Sequence, residues 1–176
     1  LSNRGGKKPV VVAVNGLCLG GGMEMAINAD IIVAAEDARF GLPESAIGVV
    51  AIAGALPRLV RTVGRQRASE IALIGRYDYT AEEMLRWGLV NKIVPKGADV
   101  VAEALVWAAK IAANSPDSVI VTREGLKMGW ESMGPIQGTE VVLKGMFGRM
   151  DGADNMAEGV NSFVQRRKPV WKDSKL

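Results

Sequence analysis

The first 35 residues limit the fold more than any other part of the chain. Val10 to Val14 is an apolar run rich in β-branched residues that stops at Asn15-Gly16, which predicts a buried strand ending in a turn. Gly20-Gly21-Gly22 then opens onto Met23 to Ala29, a predicted helix, and Asp30 to Ala35 supplies a second buried strand around Ile31, Ile32 and Val33. Strand, glycine-rich turn, helix and strand in that order imply an α/β layer with helices against a sheet. From Leu56 onward the strand signal nearly vanishes. Helices are expected at Leu56 to Val63, Gln66 to Ile74, Ala81 to Trp87, Val100 to Ala113 and Ser118 to Trp130. A last helical region runs from about Ile136 to Arg167, broken near Gly148 to Gly152, and Leu89 to Val94 is the one later strand candidate. Thr80 with Glu83 forms a capping box, and Asp117 is the expected cap of the helix after Pro116. The chain therefore divides into an α/β part, residues 1–56, and a helical part, residues 57–176. A sheet of two or three strands leaves buried edges unpaired, so further strands ahead of Leu1 or other chains are expected to cover them.

Composition removes several kinds of chemistry. There is no histidine, which excludes Ser-His-Asp and Cys-His nucleophiles and His-ligated metals within these 176 residues. The lone cysteine, Cys18, sits among apolar residues and is read as packing. Proton chemistry is left to carboxylates, Lys, Tyr, Cys18 or backbone groups, and no metal site is expected. The net charge of +3 is spread along the chain, which argues against a nucleic-acid surface. No apolar run reaches the roughly 18 residues needed to span a bilayer. The opening Leu1-Ser2-Asn3-Arg4 carries no initiator Met and no signal-peptide pattern, so it reads as a chain entered partway through.

Three features then stand out. The glycine turn lets a ligand approach the backbone, and the first N–H groups of the following helix are unpaired and suit an oxygen that develops negative charge. Its ordinary alternative is a tight strand-to-helix turn. Glu24 lies in the first turn of that helix, a position that also favours a carboxylate through the helix dipole alone. Glu44 follows Phe40-Gly41-Leu42-Pro43 on a loop, beside Phe40, Leu42, Ala46 and Ile47, which would penalise its charged form if they buried it.

Taken together, the string from Val14-Asn15-Gly16 through Gly20-Gly21-Gly22-Met23-Glu24-Met25-Ala26 resembles the enoyl-CoA hydratase/isomerase (crotonase) family. So do Asp30-Ile31-Ile32-Val33-Ala34, Ala38-Arg39-Phe40-Gly41-Leu42-Pro43-Glu44, Gly75-Arg76 and Trp87-Gly88-Leu89-Val90. The resemblance implies the C-terminal part of a crotonase (ClpP/crotonase-like) fold, with a small sheet and helices followed by a helical C-terminal region. It implies an enoyl-CoA hydratase of fatty-acid oxidation, adding water across the 2,3 double bond of a 2-enoyl-CoA. Gly21, with Gly20 beside it, would offer an oxyanion-hole N–H to the thioester oxygen. Glu24 would mainly activate water for attack at C3, and Glu44 would deliver a proton to C2. No cofactor is implied beyond the coenzyme A thioester that is itself the substrate. Phe163 and Arg166, on the family's last helix, would contact adenine and phosphate of CoA across a subunit interface in a homotrimer or hexamer. The ending Ser174-Lys175-Leu176 reads as a peroxisomal address for an import receptor; without it the expected location is cytoplasm or mitochondrion.

Two departures accompany the resemblance. The second oxyanion donor lies upstream in this family and has no counterpart before Gly16, so the 176 residues alone are expected to be inactive. Across Gly48 to Leu59, typical hydratases carry a proline and more glycines; here Val50, Ile52, Ala55 and Leu56 are expected to make the acyl wall bulkier. Isomerisation by a single base, or a non-catalytic remnant that binds acyl-CoA, are the competing readings. Retention of both glutamates favours water addition.

Overall fold

The computed structural model describes residues 6–131 and 133–176. The opening Leu1-Ser2-Asn3-Arg4 lies outside the described residues. Backbone contacts divide the chain into two compact units, Val10–Trp107 and Ala108–Leu176, with Lys7–Pro9 joining the second.

The first unit has more strands than the sequence suggests. Strands β1 (Val11–Val14), β3 (Ile31–Ala35) and β6 (Lys92–Val94) form one parallel sheet in the order β1-β3-β6, while β2 (Leu17–Leu19), β4 (Arg39–Gly41) and β5 (Tyr79–Thr80) form a second. The expectation of two or three strands is thus corrected to six among the described residues. The missed strands are two or three residues long, too short for any periodicity to show. Val11 pairs with Ile31 and Val14 with Ala34, whereas Leu17 pairs with Arg39 and Leu19 with Gly41. Each chain segment therefore leaves one sheet at a short turn and enters the other. Val11, Val12 and Ala13 are only half-buried, which corrects the fully buried strand expected there. The reason is that β1 is an edge of its sheet, so its outer side has no neighbouring strand among the described residues.

Helix α1 (Gly21–Ile27) connects the sheets, and α2 (Ala55–Val63), α3 (Arg65–Ile74) and α4 (Ala81–Arg86) pack on them. Met23, Phe40, Leu42, Leu59, Ile71, Tyr79 and Met84 are sealed in this core. Truncating a buried residue such as Leu59 to alanine in such a core costs about 2–5 kcal/mol. On the other face, Val33 and Val94 pack against Val100 and Ala104 of α5 (Val100–Ala112). The capping box is present in full: Thr80 Oγ1 accepts from the Glu83 N–H at 3.1 Å, and Glu83 Oε2 accepts from the Thr80 N–H at 2.8 Å.

In the second unit α6 (Pro116–Trp130) starts two residues earlier than expected, and its cap is Ser115, whose hydroxyl accepts from the Ser118 N–H. Asp117 is not the cap. It is buried, and its Oδ2 accepts from Asn155 Nδ2 at 2.9 Å. Beyond α6 come α7 (Pro135–Val142), a π-helical stretch at Leu143–Phe147, α8 (Gly148–Met150) and α9 (Asp154–Val164). The break expected near Gly148 to Gly152 falls after Met150, where Gly152 adopts φ 73°. Residues beyond α9 fold back along this unit. Arg167 makes a two-pronged ion pair with Glu158, the Val170 N–H donates to the same carboxylate, and Trp171 Nε1 donates to the Ala113 carbonyl. Among the described residues no helix is long and apolar enough to cross a membrane.

Candidate active site at the glycine turn

The site grows from Gly20, where β2 ends. Gly20 adopts φ 53°, ψ −126°, a conformation that a residue with a Cβ avoids. Its N–H donates to the Gly41 carbonyl at 3.0 Å, pinning the turn to the end of β4, and its carbonyl accepts from the Glu24 N–H at 2.9 Å, starting α1. No side chain caps this helix, and Gly21 is exposed at its first position. An exposed N–H at an uncapped helix start is available to an acceptor from outside the chain.

Glu24 lies in the first turn of the helix that Gly20 opens, and Glu44 reaches Gly20 from a separate turn. Glu24 is 6% exposed, and its Oε1 accepts from the backbone N–H of Ala53 at 2.8 Å. Glu44 lies in a 3₁₀ turn, Pro43–Ile47, whose first residue is proline, which has no N–H to leave unpaired. The turn is fastened to α3, because Ser45 Oγ donates to the Ala72 carbonyl at 2.9 Å. Two glycines permit this fit. A Cβ on Gly41 would lie 2.3 Å from the Arg76 carbonyl, and one on Gly75 would lie 3.0 Å from Ala46 Cβ. Held this way, Glu44 projects its carboxylate over Gly20, such that a Cβ there would stand 3.1 Å from Oε1. Glu44 Oε2 is buried and has no hydrogen-bond partner among the described residues. Only part of the expected apolar surround exists. Phe40 and Leu42 are buried, but Ala46 and Ile47 face outward.

Glu44 also lines a cleft of ≈300 Å³ bounded by its own turn, the loop after it, α2 and α3. Leu42, Val50, Leu56, Leu59, Ala68 and Leu73 make its walls almost wholly apolar. Of the four residues expected in an acyl wall, Val50 and Leu56 line this cleft. Ile52 is exposed, and Ala55 is buried in the core. Among the described residues no three carboxylate or thiol side chains gather in a way that could hold a metal ion. Cys18 is buried in β2, and burial pushes its thiol up to about 11, which disfavours the thiolate at neutral pH.

Phe163 and Arg166 belong to the second unit. Phe163 is 85% exposed at the end of α9, and Arg166, just beyond the helix, has φ 52°, the only positive φ outside glycine among the described residues. Sequence reasoning missed Asn28 and Arg58, which reach Glu24 through Ala53. Asn28 is 1% exposed, and a buried polar residue in the apolar run Met25-Ala26-Ile27 was the available signal.

A two-sheet α/β core with an open glycine turn ahead of its first helix fits the crotonase fold. Comparisons with known proteins agree. The profile of the enoyl-CoA hydratase/isomerase family matches residues 4–174. The mevalonyl-coenzyme A hydratase of Beauveria bassiana is 65% identical over the whole chain, and that of Aspergillus fumigatus is 49% identical. The chain spans 62% and 64% of the lengths of these two relatives. The crystal structure of enoyl-CoA hydratase from Mycobacterium tuberculosis superposes with a TM-score of 0.90 at 34% identity, covering 98% of this chain and 67% of that one. The chain belongs to the enoyl-CoA hydratase/isomerase family.

Proposed function

We propose that the full gene product is a CoA-thioester hydratase that adds water across the 2,3 double bond of a 2-enoyl-CoA or removes it from the 3-hydroxyacyl-CoA. The observation that carries this reading is a carboxylate on each side of Gly20 in the fold's wiring: Glu24 in the helix that Gly20 opens, with one oxygen held by the Ala53 amide, and Glu44 over Gly20 with its Oε2 left without a partner among the described residues. A hydration needs both a base for the incoming water and a donor for C2, and two fixed carboxylates supply both. Glu24 activates the water that attacks C3. Glu44 gives the proton to C2. The exposed Gly21 N–H, next to Gly20, donates to the thioester oxygen as charge develops on it; loss of one such donor costs about 2.7–4 kcal/mol of barrier.

Two relatives whose names specify mevalonyl-coenzyme A favour a short, branched, hydroxylated acyl group over a long fatty chain. On this reading the dehydration of a mevalonyl thioester breaks the C3–OH bond and takes the proton from C2. Phe163 and Arg166, both exposed, would meet the CoA nucleotide in a neighbouring subunit. Val101, Leu105 and Val106 on α5 remain exposed, which supports a trimer or hexamer. The test is kinetic. In the full gene product, Glu24→Gln and Glu44→Gln should each lower hydration of crotonyl-CoA or dehydration of mevalonyl-CoA by at least about 10²-fold, while CoA binding survives. A double variant that turns over both thioesters at the parental rate would exclude the mechanism.

A further inference from the structure

Resting on the proposed role of Glu24, we infer that Asn28 and Arg58 are positioning residues that set its carboxylate through the backbone of Ala53. Glu24 and Asn28 lie one helical turn apart, and so on the same face of α1 and its C-terminal cap. Both face inward. Ala53 is gripped on both sides: its N–H donates to Glu24 Oε1 at 2.8 Å, and its carbonyl accepts from Asn28 Nδ2 at 3.2 Å. Asn28 Oδ1 in turn accepts from Arg58 Nη1 at 2.7 Å. The series runs from α2, through the end of α1 and one loop residue, to the carboxylate.

The chemistry at Asn28 is specific. The position needs a donor toward a carbonyl and an acceptor toward a guanidinium, and a primary amide offers both from one planar group. An Asn as buried as this one would be destabilising unless its polar atoms were paired, so a space-filling role would be met better by leucine. The loop it holds has few constraints of its own. It runs between Gly48, at φ 77°, and Gly54, at φ 91°, without regular secondary structure, and Ile52 beside Ala53 is exposed. If the Ala53 N–H drifts, Glu24 loses the contact that fixes its rotamer, and the oxygen aimed at water moves with it. Arg58 limits this movement by fixing the amide of Asn28.

The test uses steady-state hydration of crotonyl-CoA, followed by loss of enoyl-CoA absorbance, on the full gene product. Asn28→Leu and Arg58→Met should lower kcat about ten- to a hundredfold, the size expected when a reacting group is misplaced. KM should stay within about twofold, because ground-state binding is not what is lost. Arg58→Lys, which keeps a donor for Asn28, should recover most of the turnover lost in Arg58→Met. The decisive comparison places Asn28→Leu in the Glu24→Gln background, where it should lower the residual rate no further, since a residue that acts through Glu24 has nothing left to position. A loss there equal to that of Asn28→Leu alone would overturn the inference and leave a purely structural role. If Asn28→Leu does not fold, the Arg58 pair decides: equal kcat in Arg58→Met and Arg58→Lys would overturn it too. Parental turnover by Glu24→Gln alone would instead count against the reading of Glu24 itself.

Discussion

Replacing Gly20 with alanine perturbs the backbone and the Glu44 carboxylate at one point. At φ 53°, ψ −126°, an alanine is strained by about 1–3 kcal/mol whatever space surrounds it. Its methyl group would also stand 3.1 Å from Glu44 Oε1 and 3.8 Å from Cδ. Relief by moving the backbone disturbs the 3.0 Å bond to Gly41 and the 2.9 Å bond that starts α1. Relief by moving Glu44 displaces the carboxylate by a few tenths of an ångström. Both outcomes reach the site. The variant should lose about 1–3 kcal/mol of stability in urea unfolding, and Tm should fall by roughly 2–4 °C per kcal/mol in a domain of this size class. Turnover should drop about tenfold or more through misplacement of a reacting group. Gly22→Ala is the control for stability, because a Cβ there meets nothing within 4 Å and the residue lies in α1. Alanine outranks glycine in a helix by about 1 kcal/mol, so this variant should be at least as stable as the parent. If Gly20→Ala matched the parent in both stability and turnover, the backbone of this turn and the seat of Glu44 would both be misassigned.

Other outcomes follow from particular groups. Tyr79 is sealed in the core with a hydroxyl that has no partner among the described residues, so Tyr79→Phe should leave stability unchanged or raise it by up to about 1 kcal/mol in urea unfolding. The hydrogen bond from Arg167, followed by that from the Val170 N–H, holds the Glu158 carboxyl down at about 2 against an ordinary 4.5. A lowered folded value means that this stabilisation is complete above pH 4.5 and is lost as pH falls toward 2; Trp171 fluorescence, isolated by a Trp171→Phe difference, should report the release, and Glu158→Gln should remove that acid transition. Cys18 should resist alkylation by iodoacetamide at pH 8 in the folded protein and react within minutes in urea, as expected of a buried thiol whose ionisation lies near 11.

Local sequence determined the elements whose signal lies within one segment. The β-branched runs at Val11–Val14 and Ile31–Ala35, the helix after Gly20-Gly21-Gly22 and the Thr80 and Glu83 capping box all depend on neighbours a few residues away. The residue types also singled out Glu24 and Glu44, because a chain without histidine has few other groups for proton transfer. Tertiary structure decided the rest. Strands of two or three residues such as Tyr79–Thr80 exist only because Phe40 and Tyr79 come together across nearly forty positions of chain. Asp117 and Ser115 stand two residues apart as rival caps, and burial beside Asn155 removed Asp117 from that role. What separates a first-turn glutamate that merely suits a helix dipole from a held carboxylate is the Ala53 N–H, 29 residues away. Likewise Glu44 owes its seat over Gly20 to Gly41, Gly75 and the Ser45 bond to α3. Hydrogen bonding and steric fit at such separations depend on where the folded backbone returns, which no local pattern of residues encodes.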